Sequence, residues 1–361
     1  MRIGVIGAGQ LGQMLGFAAA ELELDCEFLD PSDSPPAADC GHVIRAPFDS
    51  HTALETLAAN CDIITYEFEN VPVEALTAID KQVPIYPPPE ALKHAQDRLA
   101  EKELFESLDI PLPRYAVIDS RDDIDKAIDA LGLPIVIKTR RFGYDGKGQF
   151  VLREASQADE AWQAVGNSAL IAEQWVPFDF EVSVIGVRSK AGEVAVYPLT
   201  RNEHRNGILH TSCAPVEAPA LSSLGGSYVQ SLLEHLDYVG VLALELFVAD
   251  GRLLANEFAP RVHNSGHWTI EGAETSQFAN HLLAICGRQP GSTAVRGHAG
   301  MLNLIGEIPP AARRLPQGEL HDYGKTARPG RKLGHITVVA DTAVERDRLL
   351  ADIEQSVTQS S

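Results

Sequence analysis

The sequence predicts an α/β unit at the N-terminus, followed by an α+β unit and a small β-rich segment. Three observations predict this. Buried-strand patterns alternate with helical ones as far as Tyr66. The run Tyr86-Pro87-Pro88-Pro89 then interrupts the alternation. Beyond it, strand patterns recur in hairpin-like succession, which suits an antiparallel sheet. The expected extents are 1–90, 91–295 and 296–361.

Taken in order, Arg2–Ile6 reads as a short buried strand, Gly7–Gly12 as a glycine-rich turn and Gln13–Leu24 as a helix. Asp25–Leu29 is a second strand ending at Asp30. His42–Arg45 is another, Thr52–Asn60 a helix and Asp62–Tyr66 a strand. A strongly charged helix is expected from about His94 to Leu108, stopping before Pro111. Strands follow at Ala116–Ile118, Ile135–Lys138, Gly148–Leu152, Leu170–Trp175, Glu181–Val187, Val194–Leu199, Val241–Val248 and Leu253–Phe258. The last segment carries strands at Ala299–Leu304 and His335–Val339, then a helix and a polar tail from Gln355.

Charge narrows the function classes. Thirty Lys plus Arg stand against 50 Asp plus Glu, a net charge of −20, which argues against a nucleic-acid binder. An anion site in such a chain must gather its cations locally. The cysteines at 26, 40, 61, 213 and 286 are widely spaced and form no CxxC pair, so reduced thiols are expected rather than a zinc site or disulfides. The first residues read directly as a strand, without an apolar leader and cleavage site, and no apolar run reaches the ~20 residues of a membrane helix. A cytoplasmic protein with no membrane partner is expected.

Gly7-Ala8-Gly9-Gln10-Leu11-Gly12 matches GxGxxG after a strand, with Asp30 at the end of the next. That is a dinucleotide fingerprint, and it keeps an NAD-dependent dehydrogenase open. The physics is less specific: glycines and a helix N-terminus accommodate any phosphate, and a tight packing turn needs the same residues.

The middle of the chain carries more. Lys138 ends an apolar strand, and Gly143-Tyr144-Asp145-Gly146-Lys147-Gly148-Gln149 follows. Lys138, Arg140, Arg141 and Lys147 reverse the local charge, while backbone N–H groups of a glycine loop suit phosphate oxygens. A strand-edge lysine and a plain hairpin tip are the bland alternatives. Glu245 and Glu257 lie on strands joined at Asp250-Gly251. Simple folding sets Glu245 opposite Asn256, and one bulge brings Glu257 onto the same face. Carboxylates within apolar runs are costly alone, and a hard divalent cation would account for them. In Ala259–Trp268, Arg261 suits a phosphorylated intermediate, whereas His263 and His267 read as polar loop residues rather than metal ligands.

Together, Lys138, Gly143–Gln149, Glu173-Gln174-Trp175-Val176, Glu181, Glu245, Asn256-Glu257 and Arg261 resemble the ATP-grasp enzymes. Gly9–Gly12, Tyr66-Glu67-Phe68-Glu69, Pro260–Trp268 and Lys325–Lys332 narrow the resemblance to the 5-(carboxyamino)imidazole ribonucleotide synthases, over nearly the whole chain to about residue 340. The resemblance implies a Rossmann-like pre-ATP-grasp domain that binds substrate, a central ATP-grasp domain and a small C-terminal domain. It implies ATP contacts from Arg98, Lys138, Gly143–Gln149, Glu173, Gln174, Trp175, Val176, Glu181, His204, Asn256 and Glu257, with Mg²⁺ on Glu245 and Glu257. The aminoimidazole ribonucleotide would meet Gln10, Leu11, Glu69, Tyr144, Asn264, Ser265, Lys325, Arg331 and Lys332. Lys138, Arg261, Tyr144 and Asn264 would serve catalysis, with bicarbonate as co-substrate, in a homodimer. His204, His263 and Glu69 are open as the base. Other readings stay open too: a formate-using relative, the dehydrogenase, or a nucleotide-binding regulator without turnover.

Overall fold

The computed structural model describes residues 1–143 and 148–358. Strands β1 (Arg2–Ile6), β2 (Asp25–Asp30), β3 (His42–Arg45) and β4 (Ile63–Tyr66) pair in parallel in the order β3-β2-β1-β4. Ile3, Val5, Phe28 and Ile64 are wholly buried, as in a parallel sheet covered on both faces. Helix α1 (Gln10–Glu21) begins three residues earlier than the sequence pattern suggests, directly after Gly9. Gln10 and Leu11 therefore sit on its first turn, at the mouth of the sheet. Helices α2 (His51–Asn60) and α3 (Val73–Ile79) complete this layer.

The single charged helix expected over His94–Leu108 is two helices, α4 (Pro89–Ala95) and α5 (Arg98–Ser107). Asp97 explains the break. Its carboxylate accepts the Leu99 N–H at 3.0 Å and a guanidinium N–H of Arg140 at 2.7 Å. A side chain that caps a helix start competes with a helix passing through it. The break turns Arg98, Glu101 and Lys102 toward the interior; Lys102 is 0% exposed.

A second sheet holds β5 (Tyr115–Ile118), β6 (Ile135–Thr139), β7 (Gln149–Leu152) and β8 (Leu170–Gln174), in antiparallel order β5-β8-β6-β7. Helices Arg121–Leu131 and Ala158–Val165 bury its apolar face around Ile118, Ile135, Ile137 and Leu152.

The third sheet has nine strands: β9 (Phe180–Arg188), β10 (Val194–Val196), β11 (Thr200–Arg205), β12 (Ile208–Ala214), β13 (Gly240–Ala249), β14 (Arg252–Ala259), β15 (His298–Ile305), β16 (Glu319–Asp322) and β17 (Lys332–Ala340). The order is β14-β13-β9-β11-β12-β15-β17-β16, with β10 on β9. The strand pattern over Val194–Leu199 thus ends at Val196. Strands β11, β12 and β16 have no expectation in the sequence. Residues 200–205 read Thr-Arg-Asn-Glu-His-Arg, so no apolar alternation announces β11. Its polar residues face partners instead, as Asn202 does when it donates to Ser183 Oγ at 3.0 Å. Strand β15 pairs antiparallel with β12, so the C-terminal segment extends the large sheet.

Candidate active site

The second and third sheets and the edge of the N-terminal layer contribute to one cavity of about 460 Å³. Its walls carry Lys138 and Val151 from the second sheet, Glu181, His204 and Glu245 from the third, and Gln10 from α1. An open cleft rich in polar groups is suited to a large charged ligand.

Lys138 ends β6, and Glu173 lies on the neighbouring β8. The ammonium of Lys138 donates to Glu173 Oε2 at 2.8 Å. Lys102 approaches the other oxygen at 3.7 Å and donates to the Asn256 carbonyl at 2.5 Å. Burial pushes the Glu173 carboxyl up, but Lys102 and Lys138 outweigh it and hold the pKa at about 2. Burial lowers the pKa of Lys138, while Glu173 opposes that shift. Two buried cations on one carboxylate leave positive charge facing the cavity.

Glu245 and Glu257 are register partners across β13 and β14, because a bulge falls between Glu245 and Leu246. The bulge thus decides between the two arrangements the sequence left open. Burial, then the neighbouring Glu257, pushes Glu245 up to about 7. Burial works against the charge of Glu257, but Arg98 and Lys138 outweigh it and lower its pKa. Arg98 donates to Glu257 Oε2 at 2.9 Å. Such a pair, one member pushed toward protonation, fits a divalent cation with ligand oxygens completing its shell. Among the described residues no group of three His, Cys, Asp or Glu side chains forms a metal site by itself.

His204 Nδ1 lies 2.7 Å from Glu181 Oε2. Burial lowers the His204 pKa, but the Glu181 and Glu245 carboxylates outweigh it and raise it. Trp175 and Phe178 close the cavity beside Phe247, and the Phe178 and Phe247 rings stack at 4.8 Å. Gly143 and Gln149 line the same wall, and Gly148 stands at φ 71° against Thr139. Tyr144, Asp145, Gly146 and Lys147 lie outside the described residues. Gln174 accepts an Arg114 N–H at 3.1 Å on the outer side, so its side chain turns from the cavity. Val176 follows the end of β8 and is half-buried.

At the opposite end, Arg261 pairs with Glu69 at 2.7 Å. Asn264 and Asn303 exchange amide hydrogen bonds of 3.1 and 2.8 Å, which fixes Asn264 at the cavity wall. Lys325 donates to Gln10 Oε1. Burial, then Arg331, brings Lys325 down to about 8. Arg331 donates to the Thr326 carbonyl at 3.1 Å, and Lys332 lines the cavity. Two expectations change here. Ser265 is 1% exposed, with its hydroxyl 2.8 Å from Ser183 and 2.9 Å from His263 Nδ1, so it braces the loop rather than touching a ligand through its side chain. His263 and His267 are not solvated loop residues: His267 is wholly buried, and His263 Nε2 lies 3.0 Å from Glu245 Oε1.

The glycine turn is already filled by protein. Asp30 accepts the Ala8 N–H at 2.9 Å and Glu67 accepts the Gly9 N–H at 2.7 Å. A Cβ at Gly7 or Gly9 would meet Glu67 within 2.8 Å. The N–H groups that would cradle a pyrophosphate are therefore spent on carboxylates.

Comparison with known proteins decides the family. An ATP-grasp domain model matches residues 103–278, a ribonucleotide synthetase preATP-grasp domain model 1–96, and a phosphoribosylaminoimidazole carboxylase C-terminal domain model 299–348. N5-carboxyaminoimidazole ribonucleotide synthase of Pseudomonas aeruginosa is 49% identical over 357 residues, 98% of this chain and 99% of that one. The chain belongs to the N5-carboxyaminoimidazole ribonucleotide synthase family. Solved synthases agree. The Thermus thermophilus enzyme superposes with a TM-score of 0.94 at 48% identity, covering 98% of both chains. The Aspergillus clavatus enzyme, in complex with ADP and 5-aminoimidazole ribonucleotide, gives 0.93 at 32%, covering 99% of this chain and 98% of that one. The dehydrogenase reading falls with the synthase assignment, and the Glu67 plug supplies its physical reason.

Sequence reasoning gave Glu67 a place in a motif but no role, and it missed Glu101 and Lys102. Glu101 accepts the Phe258 N–H at 2.7 Å, and burial pushes it to about 8. The available signal was Asp97, a cap residue that would have split the helix and shown Glu101 and Lys102 to lie on its inner face.

Proposed function

We propose that this chain carboxylates the exocyclic amine of 5-aminoimidazole ribonucleotide with bicarbonate and ATP, in purine synthesis. One observation carries the reading. Lys138, held from behind by Glu173, and the Glu245–Glu257 pair open onto the same cavity as Arg261, Glu69 and Lys332. A nucleotide end and an anion-binding end thus share one cleft.

In the reaction, a bicarbonate oxygen attacks the γ-phosphorus of ATP, and the bond to ADP breaks. Carboxyphosphate forms; the amine nitrogen then bonds to its carbon, directly or after release of carbon dioxide, while phosphate leaves and takes up the amine's proton. Phosphoryl transfer asks for in-line placement and charge neutralisation. Lys138 and Arg98 hold the phosphates, while Trp175 and the backbone through Val176 hold adenine. Glu181 and His204 take the ribose hydroxyls. Mg²⁺ on Glu245 and Glu257 supplies further neutralisation when bound. Arg261 meets the acyl phosphate, and residues Gly143–Gln149 exclude water, which would hydrolyse it. Asn264 and Tyr144 complete the contacts near the amine. Lys325, Arg331 and Lys332 take the ribose 5-phosphate, beside Gln10, Leu11 and Glu69.

The family resemblance also supports domain limits near 90 and 295 and a cytoplasmic homodimer. No helix among the described residues is long and apolar enough to cross a membrane. The test is steady-state ADP release from MgATP and bicarbonate, with and without the ribonucleotide. Strong stimulation is expected. Bound ATP without stimulation would point to a formate-using ligase or a regulator.

A further inference from the structure

Two chain segments supply the ribonucleotide end, and they are far apart in sequence. One is the loop through His263 and Asn264; the other is the connection from β16 to β17, with Lys325 and Lys332. Behind the cavity, three imidazoles stand in a row between them. His267 ends the first segment, and its ring centroid is 4.9 Å from that of His335 on β17. His335 stacks on His321 of β16 at 4.4 Å and 5°. These two are register partners. His321 Nε2 lies 2.6 Å from Glu271 Oε1, which anchors the row to the short helix Thr269–Gly272.

Tyr323 joins this row to the cavity. It is 1% exposed, and its hydroxyl lies 2.8 Å from His335 Nδ1. Its backbone N–H donates to the Leu333 carbonyl at 2.9 Å, which closes the mouth of the connection. The ammonium of Lys325 rests 5.7 Å from the centre of its ring. One side chain thus touches a substrate cation on one side and the buried row on the other. Stacked aromatic rings and buried hydrogen bonds resist sliding, because each displaced group loses its partner in a low-polarity interior. Nothing comparable is needed for chain stability alone: an apolar core would satisfy it without leaving His267 Nε2 and His335 Nε2 without hydrogen-bond partners.

We propose that Tyr323, seated on the His267–His335–His321 row, is a positioning residue that fixes Lys325 and the β16–β17 connection against the Asn264 loop for the ribonucleotide 5-phosphate. The inference rests on the proposed function, and it assigns Tyr323 no contact with the reacting atoms.

The experiment is a kinetic double-mutant cycle with full-length enzyme and authentic ribonucleotide. Tyr323→Phe deletes one oxygen and keeps the ring under Lys325. His335→Phe keeps a stacking ring and deletes the acceptor. Each is expected to raise the ribonucleotide KM by about 3–10-fold, the worth of one buried hydrogen bond, with the MgATP KM within about twofold of wild type. The double variant is expected to match the worse single variant, because both delete the same link. Should His335→Phe not fold, the Tyr323→Phe split alone decides. Equal shifts in both KM values, an unchanged ribonucleotide KM, or additive effects would overturn the inference. A wild-type enzyme without ribonucleotide-stimulated ADP release would instead defeat the proposed function.

Discussion

The two ends of the cavity hold their cations differently. At the nucleotide end each cation has a carboxylate: Lys102 and Lys138 share Glu173, and Arg98 meets Glu257. At the proposed ribonucleotide end Arg261 also meets a carboxylate, Glu69, but Lys325 meets the neutral amide of Gln10, and burial, then Arg331, lowers its pKa against the opposing pull of Glu67. The first arrangement is preorganised: its cations are already held by carboxylates, with the surplus positive charge of two lysines on one glutamate facing the cavity, so binding costs little rearrangement. In the second, a buried lysine beside Arg331 would gain from the opposite charge of a bound phosphate. One end is fixed by ion pairs, and the other sets a buried lysine against a neutral amide.

That contrast has several breaking points. The largest effect is expected from Lys138→Ala, because it leaves Glu173 against Lys102 alone and removes a charge aimed at the phosphates. A loss of roughly 10²–10³ in kcat is expected, in the range for a deleted charge stabiliser, read from ADP release at saturating substrates. Near-normal turnover would remove Lys138 from the machinery. Next, Glu245→Gln is expected to raise the Mg²⁺ concentration for half-maximal rate by at least the roughly 10–100-fold that loss of a supporting ligand costs. A Mg²⁺ titration at fixed ATP checks it, and an unchanged midpoint would take Glu245 out of the metal site.

Lys325 gives the pH test. With its pKa at about 8 in the free enzyme, the cation is present below that value and lost as pH rises through it. The kcat/KM for the ribonucleotide is therefore expected to fall on the alkaline side of about pH 8, while that for MgATP holds. Lys325→Arg, always charged, should abolish this fall. An identical limb in the variant would assign the titration elsewhere. The smallest effect on turnover is expected at Asp97→Ala, which removes a helix cap and an Arg140 partner without touching a ligand. Denaturant unfolding should register a loss of about 1–2 kcal/mol, and a kcat loss above tenfold would mean that the α4–α5 break itself shapes the site.

Much of the cavity lining was legible because its residues stand out chemically from their surroundings. Lys138 at the end of an apolar strand and Glu245 within another are charges where hydrophobic pattern predicts none, and the parallel N-terminal sheet announced itself by alternating strands and helices. What stayed hidden was charge in places where charge is ordinary. Glu101 and Lys102 look like the surface of an exposed helix, and only the cap at Asp97 turns them inward. The strands at Thr200–Arg205 and Glu319–Asp322 lack an apolar face because their side chains serve polar partners. His267 read as loop polarity and Ser265 as a substrate contact, yet both are buried against residues contributed by strands far along the chain. The glycine turn misled for a related reason: its pattern specifies backbone shape, while Glu67, on a different strand end, decides what occupies the hollow.

The pairing of β12 with β15 has a consequence for dissecting the molecule. A fragment stopping before His298 would keep most of the nucleotide groups, but it would turn β12 from an interior strand into a boundary one. The backbone N–H and C=O groups of Thr211–Ala214 that now bond to Ala299–Leu302 would face water beside newly bared apolar side chains. Such a fragment should self-associate through that ledge rather than behave as a smaller soluble ATP-binding module, and size-exclusion chromatography of the truncated chain would display it as oligomers.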